Sequence, residues 1–208
     1  MSGPIIGPHG GYRDLKAYQL AEIIYDRTAA FTKRCIDKKS RTVDQMVQAA
    51  RSGKQNIAEG ARASATSKNT ELRLINVARS SLEELLLDYE DFLRQNDLKL
   101  WGKDDEKAVF IRSLRHPVET PTKTDRSDRT DRTDPTDKPA TSPYSTYKLY
   151  IEGKTPQTAA NTLIVLIHQA NYLLDQLLRR LEKDFVEKGG FTETLYRVRT
   201  QTRANKTD

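Results

Sequence analysis

Four long segments of the sequence place apolar residues at every third or fourth position, and this spacing constrains the fold more than any other feature. Residues on that spacing share one face of an α-helix. The segments cover residues 14–35, 42–60, 70–95 and 155–188. Four amphipathic helices predict an all-α protein, specifically an antiparallel up-and-down four-helix bundle with a long disordered insertion before the last helix.

Polar residues and glycines mark the expected ends of these helices. Asp14 is placed to cap the first helix. Thr42 and Gln45 have the spacing of a capping box at the start of the second. Gly60 is expected to end the second helix in a left-handed turn, because glycine is common just past a helix terminus. Thr155 is predicted to cap the fourth helix.

Composition divides the chain into five parts. They are an N-terminal arm (1–13), the first three helices plus a short helix (14–115), a disordered linker (116–143), the fourth helix with its preceding segment (144–190) and a basic tail (191–208). The linker contains the repeat "TDRSDRTDRTDPTDK", which has no apolar residue and so cannot offset its ordering entropy. The segment "YSTYKLYIEG" has some strand character and is expected to be extended.

Charge and cysteine usage restrict the partners and the compartment. Residues 1–66 carry 11 Lys and Arg against 6 Asp and Glu, which accounts for +5 of the net charge of +6. Such an excess permits a polyanionic partner without requiring one. Cys35 is the single cysteine, which fits a reducing compartment. The N-terminus lacks signal-peptide features and the most apolar run, "LIVLI", is too short to span a bilayer, so we expect a cytoplasmic protein.

The second helix contains a mid-helix glycine and a small polar stripe. Gly53 lies on the apolar face, where its missing side chain would let a neighbouring helix approach closely. Ala49, Ser52, Asn56 and Glu59 follow one another at steps of three and four and form the polar stripe. This stripe is either an ordinary solvent face or a contact surface to another subunit or to the chain end. In the second case Asn56 and Glu59 would bond backbone groups near the helix terminus.

The run "LIVLI" at 163–167 makes the fourth helix apolar on almost every side. A helix that is apolar all round is usually buried all round. We therefore predict that Ile164 and Leu166 contact another subunit of a homo-oligomer. The alternative is that residues 144–151 cover this run within the same chain.

Three motifs carry a family resemblance: "DLKAYQLAEIIYDRT" (14–28), "NIAEG" (56–60) and "LINVARSSLEEL" (74–85). Together, over roughly residues 12–95, they resemble the four-helix-bundle family first noted in proteins encoded by intervening sequences of 23S ribosomal RNA genes. The C-terminal part from Ala160 looks like the suffix region of one branch. Two features depart from the pattern: "SGKQ" stands where Ser-Ile-Pro-Ser is common, and a long insertion precedes the fourth helix.

The resemblance implies a small bacterial bundle without enzymatic activity, commonly a ring-shaped homo-oligomer and often a pentamer. A related branch is the accessory variability determinant of diversity-generating retroelements, which is basic and associates with nucleic acid and with a reverse transcriptase. The resemblance therefore implies RNA, DNA or a reverse transcriptase, or another protein, as partners in addition to the chain itself.

Basic residues cluster around the first turn and one face of the second helix. Phosphate contacts from such residues give affinity that is independent of sequence and sensitive to salt. The alternative is a solvated basic surface without a ligand. The candidate nucleic-acid-binding residues are Lys33, Arg34, Lys38, Lys39, Arg41, Arg51, Lys54 and Arg62.

Catalytic, metal and cofactor signatures are missing from the sequence. The three histidines, His9, His116 and His168, are far apart in sequence, and no His-x-x-x-His or Cys-x-x-Cys spacing occurs. We therefore expect no enzyme, no metal and no cofactor. The sequence favours a homo-oligomeric bundle that is nucleic-acid-associated or accessory to a nucleic-acid enzyme. The alternative is a protein–protein scaffold or adaptor ring without nucleic-acid binding.

Overall fold

The computed structural model describes residues 11–114 and 143–189, together with 193, 196, 199 and 200. Within these residues every regular element is helical, which confirms the all-α prediction. The predicted linker, apart from Pro143, and most of the arm and the tail lie outside the described residues. After a short 3-10 helix at Gly11–Asp14, the α-helices are α1 (Lys16–Cys35), α2 (Arg41–Ala63), α3 (Lys68–Gln95), α4 (Glu106–Ser113), α5 (Pro143–Ile151) and α6 (Pro156–Lys188).

Helices α1, α2, α3 and α6 form an antiparallel bundle in which each packs on two others. Turns of five and four residues join α1 to α2 and α2 to α3. Arg79 of α3 pairs with Asp175 of α6 at 2.6 Å, and Glu83 accepts from Asn171 at 3.0 Å. Because the α6 partner moves back by four residues as α3 advances by four, these two helices are antiparallel. The up-and-down bundle is therefore as predicted.

Aromatic side chains fill the core where α1 and α3 face each other. Tyr89 is fully buried, and its ring packs edge-on against Phe31 at 5.1 Å between centroids. Its hydroxyl donates to Thr28 Oγ1 at 3.0 Å. Burial raises the pKa of Tyr89, so the hydroxyl stays protonated as a donor. This bond satisfies two polar groups that would otherwise be costly to bury.

The two glycines of α2 both allow close approach to α3. A Cβ at Gly53 would lie 2.8 Å from Leu82 Cδ2, which confirms the role predicted for this residue. A Cβ at Gly60 would lie 3.2 Å from Ile75 Cδ1. Gly60 does not end the helix in a left-handed turn, since α2 continues to Ala63. That prediction was wrong because the sequence alone does not distinguish a glycine that allows close helix packing from a glycine that ends a helix.

Two of the predicted helix caps are wrong and one is confirmed. Leu15 precedes α1 without a side-chain cap, so Asp14 does not cap it. Ser40, not Thr42, caps α2 and accepts from the Thr42 amide at 3.2 Å. Thr155 caps α6 as predicted, accepting from the Thr158 amide at 3.3 Å.

The segment before α6 is a helix, α5, and not an extended stretch. Its Tyr147 and Ile151 are buried, because α5 packs on α6 and α1. Together with α4 and Trp101 it covers the apolar run of α6, so Ile164 is 4% exposed and Leu166 is 0% exposed within one chain. The prediction that these two residues face another subunit is therefore wrong, and the covering segment is the alternative that the sequence left open.

We expect Gly53→Ala to lower the free energy of unfolding by about 1 kcal/mol, because overpacking against Leu82 outweighs the gain in helix propensity. In a Leu82→Ala background the clash is gone, and the same substitution should stabilise the protein by about 1 kcal/mol. Urea denaturation of the four proteins measures both effects.

Gly102→Ala serves as the matched control, since a Cβ there meets nothing within 4 Å. This variant should show no loss of stability. Equal effects of Gly53→Ala in the two backgrounds would contradict the close-approach role.

Candidate nucleic-acid interface

The turn between α1 and α2 presents four exposed cations at one end of the bundle. The turn is tight, since the Lys39 amide donates to Asp37 Oδ1 at 2.9 Å and the Ser40 amide donates to the Asp37 carbonyl at 2.9 Å. One oxygen of the Asp37 carboxylate therefore helps to fix the turn. The exposed side chains, here called the basic turn, are Lys33, Lys38, Lys39 and Arg41.

Arg34 belongs to the same stretch of sequence but has a structural role. Its guanidinium donates to the backbone carbonyl of Ile151 at 2.7 Å and to that of Glu152. These carbonyls belong to the C-terminal end of α5, where helices leave acceptors without intrahelical partners and where cations are favourable. Two turns earlier on α1, the buried Arg27 pairs with the Glu152 carboxylate. Two arginines of α1 therefore hold the end of α5.

Lys54 and Arg62 pack on aromatic rings of the 3-10 helix and α1. Lys54 Nζ lies 4.6 Å from the ring centroid of Tyr25. The Arg62 guanidinium lies 4.9 Å from the ring centroid of Tyr12 and donates to its hydroxyl at 3.2 Å. Cation–π contacts of this kind stabilise the fold by roughly 0.5–1 kcal/mol at exposed sites. Both side chains are thus engaged within the chain.

Arg51 is exposed but stands apart from the basic turn. It follows Arg41 by ten residues on α2, a rise of about 15 Å. Arg62 lies about 30 Å from Arg41 by the same measure, towards the opposite end of the bundle. The structure therefore brings together four of the eight predicted residues, and it separates or engages the other four.

Two exposed lysines missed by the sequence analysis lie at the same end of the bundle as the basic turn. Lys148 and Lys154 are exposed on α5 and on the turn that follows it. The contacts of Arg34 with Ile151 and Glu152 place that turn next to the end of α1. Nothing in the local sequence indicated this position, because the segment was interpreted as extended.

The small polar stripe of α2 is largely engaged within the chain. Ala49 is buried, and Ser52 Oγ lies 3.0 Å from Ser81 Oγ of α3. Asn56 Nδ2 donates to the Ser52 carbonyl at 2.9 Å, in mid-helix and not at the terminus as expected. Glu59 is exposed. The stripe therefore borders the α2–α3 contact and leaves mainly Glu59 on the surface.

Other reactive or metal-binding groups are dispersed. His168 is exposed on α6, and the half-buried Cys35 accepts a hydrogen bond from Arg34 Nε at 3.4 Å. Across residues 11–114 and 143–189, no three His, Cys, Asp or Glu side chains converge in a way that could hold a metal ion. None of the helices in these ranges has the length and apolar character needed to cross a membrane.

The geometry of α1, the basic turn, α2 and α3 can be compared with known families. Residues 13–99 match the family described as 23S rRNA-intervening sequence protein. The match confirms the resemblance seen in the three motifs. It includes the basic turn and the α2–α3 contact, whereas α4, α5 and α6 lie beyond it. No curated protein and no solved structure matches the chain.

The division of roles between adjacent cations can be measured. Arg34→Gln should lower the free energy of unfolding by about 1 kcal/mol, because the α5 carbonyls lose a charged donor. It should also speed hydrogen exchange of the α5 amides, as read by NMR or mass spectrometry. Lys33→Gln is the control: it removes the same charge from the neighbouring exposed position and should change stability by less than about 0.5 kcal/mol. Equal effects of the two substitutions would show that Arg34 does not anchor α5.

Proposed function

We propose that this protein is a non-catalytic RNA-associated bundle that binds phosphates through the basic turn. The observation that carries the proposal is the placement of exposed cations from three elements at one end of the bundle. The end of α1 supplies Lys33, the turn and the start of α2 supply Lys38, Lys39 and Arg41, and the α5 region adds Lys148 and Lys154. The family description, 23S rRNA-intervening sequence protein, supports an rRNA-related role.

The nearby carboxylates offset only part of this positive charge. Asp37 and Asp44 carry two negative charges against the six exposed cations, and Glu152 pairs with the buried Arg27. Lys148 lies 3.8 Å from Glu152, a loose pair on an exposed surface that contributes little. Lysines on flexible stems act as point charges towards phosphates, so the surface favours sequence-independent binding.

We further propose that copies of the chain associate through the outer face of α3. With the apolar run of α6 covered, this face carries two of the large apolar side chains that remain on the bundle surface: Val77 is 46% exposed and Leu87 is 60% exposed. Association would repeat the basic turn around an assembly. Several weak phosphate sites on one particle raise the overall affinity without any new contact.

The phosphate proposal predicts a salt-dependent affinity for single-stranded RNA. Binding of a fluorescently labelled RNA, followed by anisotropy at several KCl concentrations, should weaken steeply as salt rises. The triple variant Lys38→Ala, Lys39→Ala and Arg41→Ala should reduce the slope of log affinity against log salt by about 2 for each chain bound, at roughly 0.7 per lost phosphate contact.

The matched control removes three positive charges from the C-terminal half of α6 through the substitutions Arg179→Ala, Arg180→Ala and Lys183→Ala. These side chains are exposed, and the substitutions should leave the slope unchanged. A slope reduced equally by both triple variants would assign binding to net charge and contradict the basic turn. Absence of binding at low salt would overturn the RNA proposal and favour a protein partner at this surface.

Self-association is tested separately by light scattering at micromolar concentration. The protein should show a mass that is a multiple of the 23.7 kDa chain. Val77→Glu with Leu87→Glu should return it to a single chain, because each carboxylate would have to be buried at the contact. Val186→Glu, at a side chain that is 84% exposed on α6, is the control and should leave the mass unchanged. A single-chain mass for the unaltered protein would contradict the association.

A further inference from the structure

A groove of about 500 Å³ opens between α1, α6 and the ends of α4 and α5. It lies away from the basic turn, because its α1 residues come from the first turn and a half of that helix, whereas the basic turn follows the end of α1. The size falls within the range of small-molecule sites in proteins. The side chains that line its apolar floor are Leu20, Leu114, Tyr147 and Leu173.

The polar side chains around the groove are basic or neutral. Lys16 of α1, Arg112 of α4 and His168 of α6 contribute basic nitrogens, and Gln19 and Gln169 contribute amides. No carboxylate is among the described residues that line it. The chain contains 29 Asp and Glu residues, so a lining without any carboxylate distinguishes this groove. An apolar floor beneath a basic rim complements an anion that carries an apolar body.

Several of these rim groups are held in place and others are open to a ligand. Arg112 donates to the Lys103 carbonyl, and its own carbonyl accepts from Gln169 Nε2 at 3.4 Å. Tyr147 donates to the Leu114 carbonyl at 2.6 Å, and burial raises its pKa to about 12, so the phenol is a neutral wall. In contrast, Lys16 makes no hydrogen bond or ion pair with any described residue.

We propose that this groove binds a small organic anion with an apolar body, the carboxylate or equivalent head group meeting Lys16 and Arg112 and the body lying on the leucines. The site is independent of the RNA surface proposed above, since the two share no residue. Burial of the apolar body supplies most of the affinity. The basic rim supplies the selection for a negative head group.

The test uses the full chain and decanoate as the probe. Addition of decanoate, below its micelle-forming range, should give saturable amide shifts in two-dimensional NMR spectra at Leu20, Gln169 and Leu173. For a ligand of this size we expect a Kd between roughly tens of micromolar and 1 mM. Decan-1-ol, which keeps the chain and lacks the charge, and acetate, which keeps the charge and lacks the chain, should each bind at least about tenfold more weakly.

Two substitutions separate the parts of the site. Lys16→Gln, at an exposed position, should weaken decanoate about threefold to fivefold and leave decan-1-ol unaffected. Leu173→Trp should fill the groove and weaken both. Lys33→Gln removes the same charge at a distance and should change neither affinity. Thermal unfolding of each variant by circular dichroism confirms that it is folded.

Three results would overturn the proposal. Decan-1-ol binding as tightly as decanoate would show that the rim does not select anions. Saturable shifts confined to another surface would place the ligand elsewhere. Absence of saturable shifts up to several millimolar decanoate would show that the groove is not a site for this class of ligand.

Discussion

The close packing of α2 on α3 is the contact on which the rest of the structure depends. Because Gly53 and Gly60 on one face of α2 have no side chains, Leu82 and Ile75 of α3 fill the space beside them. This sets the separation of the two helices and so positions the face of α3 that packs on α6. The cost in helix propensity, about 1 kcal/mol for each glycine, is offset by the burial of these aliphatic side chains.

The second long-range constraint is the attachment of α5 to α1. Arg27 and Arg34 hold the end of α5, and two side chains of α5 itself, Tyr147 and Ile151, are buried. Through this attachment α5 is fixed at a defined place on the bundle. The attached helix helps to cover the apolar run of α6 and forms one wall of the groove, and two exposed lysines, one on α5 and one just after it, lie at the end of the bundle that bears the basic turn. One short helix thus contributes to the core and to both candidate surfaces.

Helical periodicity predicted the bundle because each long helix has a continuous apolar stripe that is buried only when the helix packs on neighbouring helices. It could not predict α5, whose tyrosines and threonine favour extended structure locally and whose helical form is stabilised by packing on α6 and α1. The same limit explains Ile164 and Leu166. An apolar surface can be identified from sequence, but whether another subunit or a distant segment of the same chain covers it depends on tertiary structure.

The candidate interface shows the same limit at the scale of single side chains. Lys33 and Arg34 are adjacent, both cationic and both exposed in part, yet Arg34 bonds carbonyls more than 100 residues away in sequence while Lys33 faces solvent. Counting charges along the chain therefore overstates the surface open to phosphates. It also confuses loss of binding with loss of structure, because removing every cation of this region at once would remove the two arginines that hold the end of α5. Only variants that leave Arg27 and Arg34 in place report on the ligand.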